Sequence, residues 1–172
     1  MTRFTTIRPC LIAFGLAFCG ALGLPSSARA EAYAGAMIGL GIPMGTGVDV
    51  DNGMVYGATL GAHILPALSI AATYLHDDFE TTIGKFDFGV NQYLAEVNFF
   101  SLFFMNAGAH AGLVQTKVIG STSDDLGFGF HLGFDLRLAE QVSIGGAGYM
   151  TWVTADDKYA TLNLMIPLKF YF

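Results

Sequence analysis

From residue 31 onward, apolar residues alternate one for one with small or polar ones, segment after segment. No apolar stretch in this part reaches the ~18 residues of a membrane-spanning helix. Period two is the period of a β-strand, whose successive side chains point to opposite faces. Residues 126–138 show it most plainly. Leu126, Phe128, Phe130, Leu132, Phe134, Leu136 and Leu138 share one face, while Gly127, Gly129, His131, Gly133, Asp135 and Arg137 share the other. Near the end of the chain Ala160, Leu162, Leu164, Ile166, Leu168, Phe170 and Phe172 oppose Tyr159, Thr161, Asn163, Met165, Pro167, Lys169 and Tyr171. Just after residue 31, Ala32, Ala34, Ala36, Ile38, Leu40 and Ile42 oppose Tyr33, Gly35, Met37, Gly39 and Gly41. Weaker versions at 56–64, 68–76, 88–99, 103–115 and 142–153 bring the count to eight strands. Most are close to the ~9–11 residues that a tilted membrane strand needs.

The first thirty residues follow a different rule. Arg3 and Arg8 precede an apolar run over 10–24, and Ala28 and Ala30 set small residues at the two positions that signal peptidase reads. The run is shorter than the ~20 residues of a span, so 1–30 reads as a signal peptide cleaved after Ala30. A lipoprotein attachment at Cys19 is disfavoured by Phe18, where a small residue is needed. Cleavage removes Arg3, Arg8, Arg29 and both cysteines but no acid, which leaves five basic against fourteen acidic residues. The exported chain therefore offers no disulfide, thiolate metal site or cysteine nucleophile. The whole sequence is 53% apolar and only 13% charged, with a net charge of −6. Such a balance excludes a disordered chain and a basic nucleic-acid binder.

The connections alternate as well. Polar ones at 43–52, 77–87, 118–125 and 154–157 take turns with tight ones at 65–67, 100–102 and 139–141. An up-and-down meander with one rim outside the cell gives this order. Two barrels fit eight alternating strands: a soluble one with apolar residues inside, and a membrane one with them outside. Side-chain volume decides between them. An eight-stranded interior has room only for the side chains that fill it, and the Leu/Phe faces would overfill it. The glycine face fits inside, and it carries the ionisable groups. The reading is a closed eight-stranded antiparallel up-and-down transmembrane β-barrel over Glu31–Phe172. Pro167 has no donor for the last strand, which predicts a bulge or a missing ladder bond there.

With its opening strand 32–39, its eight-strand count and its closing Leu168-Lys169-Phe170-Tyr171-Phe172, the chain resembles bacterial outer-membrane β-barrels of the OmpA-like, eight-stranded kind. The resemblance implies residence in the outer membrane of a Gram-negative-type bacterium. It also implies contact with outer-membrane lipid and lipopolysaccharide, and recognition of the terminal Phe172 by the outer-membrane assembly machinery.

Candidate functional residues lie on the inward faces and in the connections. Glu96, Asp135, Arg137 and Lys169, with His63 nearby, are expected to form a salt-bridged network in the lumen, or else a gate whose pairs exchange partners. His110 and His131 face inward on adjacent strands. A hydrogen-bonded pair is expected rather than a metal site, since no third ligand follows by spacing. No cofactor is expected. Ser69 and Ser143 also face inward, but no serine stands one or two residues from a histidine, so no catalytic pair is read. The polar connections carry, among their acids, Asp49, Asp51, Asp77, Asp78, Glu80, Asp124, Asp125, Asp156 and Asp157. They form a solvated rim or share divalent cations with lipopolysaccharide phosphates. The function expected is structural or surface-interacting rather than enzymatic. A narrow gated pore or conduit for small apolar solutes is the alternative, and a lipid-A-modifying enzyme the second alternative. Wide aqueous channels need about sixteen strands.

Overall fold

A computed structural model describes residues 31–45, 50–65, 67–80, 87–102, 104–118, 121–155 and 159–172. They form eight strands: β1 (Glu31–Met44), β2 (Gly53–Leu65), β3 (Leu68–Glu80), β4 (Asp87–Leu102), β5 (Met105–Val118), β6 (Ser121–Ala139), β7 (Val142–Val153) and β8 (Tyr159–Tyr171). Each pairs antiparallel with the next, and β8 returns to β1 to close a barrel. The closing ladder runs from Tyr33 opposite Tyr171 to Met44 opposite Ala160. Closure removes both sheet edges, so no strand is left with a row of unpaired backbone groups. The rim where β1 begins and β8 ends is called the terminal rim below, and the opposite one the far rim.

The strands run further toward the far rim than the alternation suggests. β3 continues through Asp77, Asp78 and Glu80, and β6 already begins at Ser121, three residues after β5 ends. The polar connection expected at 118–125 is thus mostly ladder, with Asp124 opposite Gln115 and Asp125 opposite Val114. Backbone pairing continues past the apolar residues because Thr116, Val118, Thr122 and their neighbours suit a strand whatever surrounds it. On the terminal side the 100–102 joint shifts instead to the junction of Leu102 and Met105, and the ladder bulges between Asn98 and Phe100.

The large apolar residues point outward. Phe128, Phe130, Phe134 and Leu164 keep 54%, 48%, 44% and 47% of their surface exposed. Ile38, Leu40, Leu60, Val97, Leu132, Ile166 and Phe170 join them. Such a continuous apolar wall far exceeds what a water-soluble monomer carries. Toward the far rim the wall ends in a polar chain across four strands. Tyr74 donates to Asn91 Oδ1 at 2.8 Å, His76 Nδ1 meets the same oxygen at 2.7 Å, and Gln115 donates to Asp124 at 3.0 Å. Such a chain is stable in contact with water and headgroups, and it sets one limit of the apolar belt.

The inward residues fill the barrel in layers. One apolar cluster holds Met37, Val55, Leu75, Leu94, Tyr149 and Met165. A second, nearer the far rim, holds Phe79, Phe88, Val90, Val114 and Val153. Inward glycines make room for these side chains to cross the axis. At Gly129 the space is already taken: a Cβ there would lie 1.8 Å from the Met150 carbonyl oxygen and 2.7 Å from His110 Nε2. Pro167 has the effect foreseen from the sequence. The β7–β8 ladder is continuous from Val142 to Ile144 and again from Ala147, and it lapses where Gly145 and Gly146 face Pro167 and Ile166.

This packing makes a sharp distinction between neighbours. Gly129→Val is expected to cut the yield of refolded barrel several-fold, whereas Phe130→Leu on the outer wall refolds like the wild type. Heat-modifiable gel migration, with boiled and unboiled samples compared, reads both.

Candidate functional site

The polar side chains of the lumen form three separate groups, and they do not gather into the single charge network expected from the sequence. At the terminal rim Arg137 Nη2 lies 2.6 Å from Glu31 Oε2. Its Nη1 donates to the Glu140 carbonyl at 2.7 Å, and its guanidinium stands 3.8 Å over the Tyr171 ring. This pair is well exposed, with 44% and 41% of the two side chains open. His63 lies in the same layer, against Tyr33 and stacked on Tyr171. One turn of the wall deeper, Lys169 Nζ meets Asp135 Oδ2 at 2.7 Å, and Asn106 donates to the same oxygen at 3.1 Å. That pair is mostly buried.

Glu96 departs from the expectation. It is buried and has no cationic partner; Tyr149 donates to its Oε2 at 3.4 Å, and its Oε1 is without a protein partner. Arg137 pairs instead with Glu31, the first residue of β1. Register explains the difference. Arg137 is opposite Ser143, at the end of β6, too close to the rim to reach inward to Glu96. Glu96, Asp135 and Lys169 do line one small cavity of about 20 Å³ together with Asn98, Asn106 and His131. That is room for about one water, not for a solute.

Above this cavity stands the histidine pair. His110 and His131 are both buried, their rings stack at 5.8 Å, and their Nδ1 atoms are 3.5 Å apart. His131 Nε2 lies 2.7 Å from Asn98 Oδ1, and His110 Nε2 lies 3.0 Å from Thr151 Oγ1. Neutral rings satisfy all three contacts in one arrangement. Thr151 donates to His110 Nε2, His110 Nδ1–H donates to His131 Nδ1, and His131 Nε2–H donates to Asn98. Tyr149 stacks on the second ring at 5.0 Å. Both nitrogens of each ring are thereby used within the protein. Among the described residues no three His, Asp or Glu side chains come together as metal ligands. Ser69 and Ser143 are buried and inward as read, and Ser143 bonds to the Tyr171 hydroxyl at 3.3 Å.

The third group was not foreseen. Asp77 was read as a rim acid, but β3 extends past it and its odd-numbered position carries it inside. It is fully buried, and Gln92 Nε2 donates to its Oδ2 at 2.7 Å and to Thr161 Oγ1 at 3.2 Å. Asn163 belongs to the same layer. Continuing the Ser69, Ala71, Thr73, Leu75 alternation by two residues would have revealed it. Of the other rim acids, Asp51 lies in the β1–β2 connection and is exposed, as are Asp78 at the end of β3 and Asp124 in β6. Asp125 is half-buried and accepts from Ser123. Glu80 closes β3, and its side chain, with Asp49, Asp156 and Asp157, lies outside the described residues.

No family model matches the sequence, and no curated protein matches it either. Solved structures do match in fold. Neisserial surface protein A superposes with a TM-score of 0.63 at 14% identity, covering 83% of this chain and 97% of its own. Ail, the attachment invasion locus protein of Yersinia pestis, gives 0.57 at 12% identity, with 82% and 99% covered. The outer membrane protein OprG from Pseudomonas aeruginosa gives 0.56 at 12% identity, with 84% and 96% covered. The shared property is the closed eight-stranded barrel.

The two ion pairs should differ in worth. Lys169→Met strands the mostly buried Asp135 and is expected to cost on the order of 3 kcal/mol. Arg137→Ala, at the open rim, is expected to cost about 0–1 kcal/mol. Equilibrium unfolding followed by the fluorescence of Trp152, the single tryptophan, measures both.

Proposed function

We propose that the protein is an integral outer-membrane β-barrel protein whose lumen is plugged and whose role is to support the envelope or to present a surface at the far rim. The observation that carries this reading is the pairing of a continuous apolar exterior with a filled, polar interior. Residues 1–30 serve as the cleaved export signal, and Phe172 ends the strand that the assembly machinery engages. The far rim then faces outward, and Asp51, Asp78 and Asp124 stand among lipopolysaccharide headgroups. The barrel matches in fold with Neisserial surface protein A and Ail, whose names mark a surface protein and an attachment protein, support a location of this kind. A catalytic role finds no support: each histidine nitrogen of the buried pair is already bonded to Thr151, Asn98 or its neighbour.

One observation favours a second reading, a conduit for small apolar solutes. Where the β7–β8 ladder lapses, an apolar groove runs along the outer wall between Phe104, Leu132, Phe134, Leu164 and Ile166. Gly146 and Ala147 belong both to this groove and to the lining of the small luminal cavity. The wall is thin there. A plugged barrel keeps it closed.

Two measurements separate the readings. Arginine on the outer wall, as in Phe130→Arg, is expected to lower stability in lipid by about 2–4 kcal/mol, with a much smaller effect for His76→Arg at the polar chain. In planar bilayers the wild-type protein is expected to give no stable conductance, and neither is Glu96→Gln. Steady conductance, or uptake of an apolar solute that a cysteine cross-link between positions 146 and 166 abolishes, would favour the conduit instead.

A further inference from the structure

The outward side chains of β6 and β8 are large, but on β7 between them positions 146 and 148 are both glycine. At Gly148 the wall is open: an added Cβ would meet only the tip of Leu164, at 3.6 Å. At Gly146 an added Cβ would run into the Phe134 ring at 2.6 Å, so that ring leans over the glycine. Leu132 and Phe134 on one side, and Leu164 and Ile166 on the other, enclose a groove of about 510 Å³ above this floor. β6 and β8 stand two strand spacings apart, about 10 Å, which leaves the floor one hydrocarbon chain wide.

Cross-strand pairing gives the groove a direction. Met105 is opposite Phe134, and Phe134 is opposite Gly146. One row nearer the far rim, Leu132 is opposite Gly148, and Gly148 is opposite Leu164. Strands in such barrels tilt by about 35–45°, so rows of cross-strand neighbours climb the wall obliquely. The climb starts at the terminal rim, beside Phe104 at the β4–β5 junction. There the Asp135 N–H donates to the Phe104 carbonyl at 2.7 Å and fixes that residue against β6. Beyond the groove, toward the far rim, the next row again carries large side chains: Phe130, Met150 and Leu162.

We propose that this groove seats one acyl chain of a phospholipid from the leaflet at the terminal rim, held longer than the lipid around the rest of the barrel. The assignment rests on the outer wall being the lipid face. Acyl chains then surround the groove and are at hand to fill it. Among the described residues, none that lines it carries a polar side chain. A sugar, a headgroup or a peptide segment would leave its own polar groups unsatisfied there. A chain lying between Leu132 and Leu164 on the glycine floor touches protein on three sides, whereas elsewhere on the wall it touches one. Each added contact contributes dispersion attraction. The groove opens beside Phe104, so the headgroup stays at the terminal rim and the near leaflet supplies the lipid. The seated chain also covers the wall where the β7–β8 ladder lapses.

The test reconstitutes the full barrel in phosphatidylcholine vesicles doped with a phosphatidylcholine whose acyl chain bears a photoreactive diazirine. Labelled residues are then mapped by mass spectrometry of the fragments. Leu132 and Leu164 are expected to take several-fold more label than Leu60 and Val97, which are exposed on the opposite wall. Added palmitic acid should remove this excess saturably and leave Leu60 and Val97 unchanged. Gly148→Leu, which fills the floor, should bring Leu132 and Leu164 down to the level of Leu60. Even labelling around the wild-type wall would overturn the proposal, as would an excess that survives either palmitic acid or Gly148→Leu. Native mass spectrometry of the barrel released from the same vesicles should show one retained phospholipid; a lipid-free dimer would give the groove to a second copy instead. Absence of label from every outward residue would contradict the lipid-facing wall itself, and the proposal with it.

Discussion

Every backbone N–H and C=O that enters hydrocarbon must find its partner within the protein, because acyl chains offer none. The described residues form strands and no helix, so the ladder has to meet this demand alone. It does so by joining β8 to β1 along nearly the whole length of both strands. Closure in turn fixes the side-chain geometry. Once the sheet bends into eight strands, one face is crowded and the other is open. The crowded face needs glycines among its larger side chains so that these can cross the axis, and the open one can carry Phe and Leu without packing partners. The two faces of 126–138 are the direct imprint of that inequality.

The filled interior follows from the same closure. Charges brought inside are desolvated, which favours pairing them. Lys169 and Asp135 supply one another, and the two histidines form a chain from Thr151 to Asn98 that leaves no ring nitrogen idle. The apolar clusters between these polar layers keep them apart. The β7–β8 ladder lapses at Pro167, which cannot donate, with the small Gly145 and Gly146 beside it. There the wall is at its weakest, and there an apolar groove forms outside.

The architecture was legible in the sequence because a period of two is a local property that survives without any knowledge of neighbours. Strand number, the faces of β1, β6 and β8, the inward histidine pair and the defect at Pro167 all follow from it. What failed depended on register, which the alternation leaves undetermined. Arg137 and Glu96 share the inward parity, yet they stand at different depths, and Glu31 takes the arginine. Asp77 was misplaced for a related reason. Polar residues in 77–87 read as a loop, but paired strands continue into the water beyond the apolar belt, and one further residue pair turns a rim acid into a buried one. Gln92 and Asn163 carry no charge, so only their shared layer with Asp77 makes them noteworthy.

Trp152 provides the most direct measurement of which face meets the lipid. It stands on the outer wall beside Phe128 and Phe130. In bilayers whose lipids carry brominated acyl chains, its fluorescence should be strongly quenched, while aqueous iodide should leave it nearly unchanged. Strong quenching by iodide with none from the brominated chains would place that face in water and contradict the inside-out barrel.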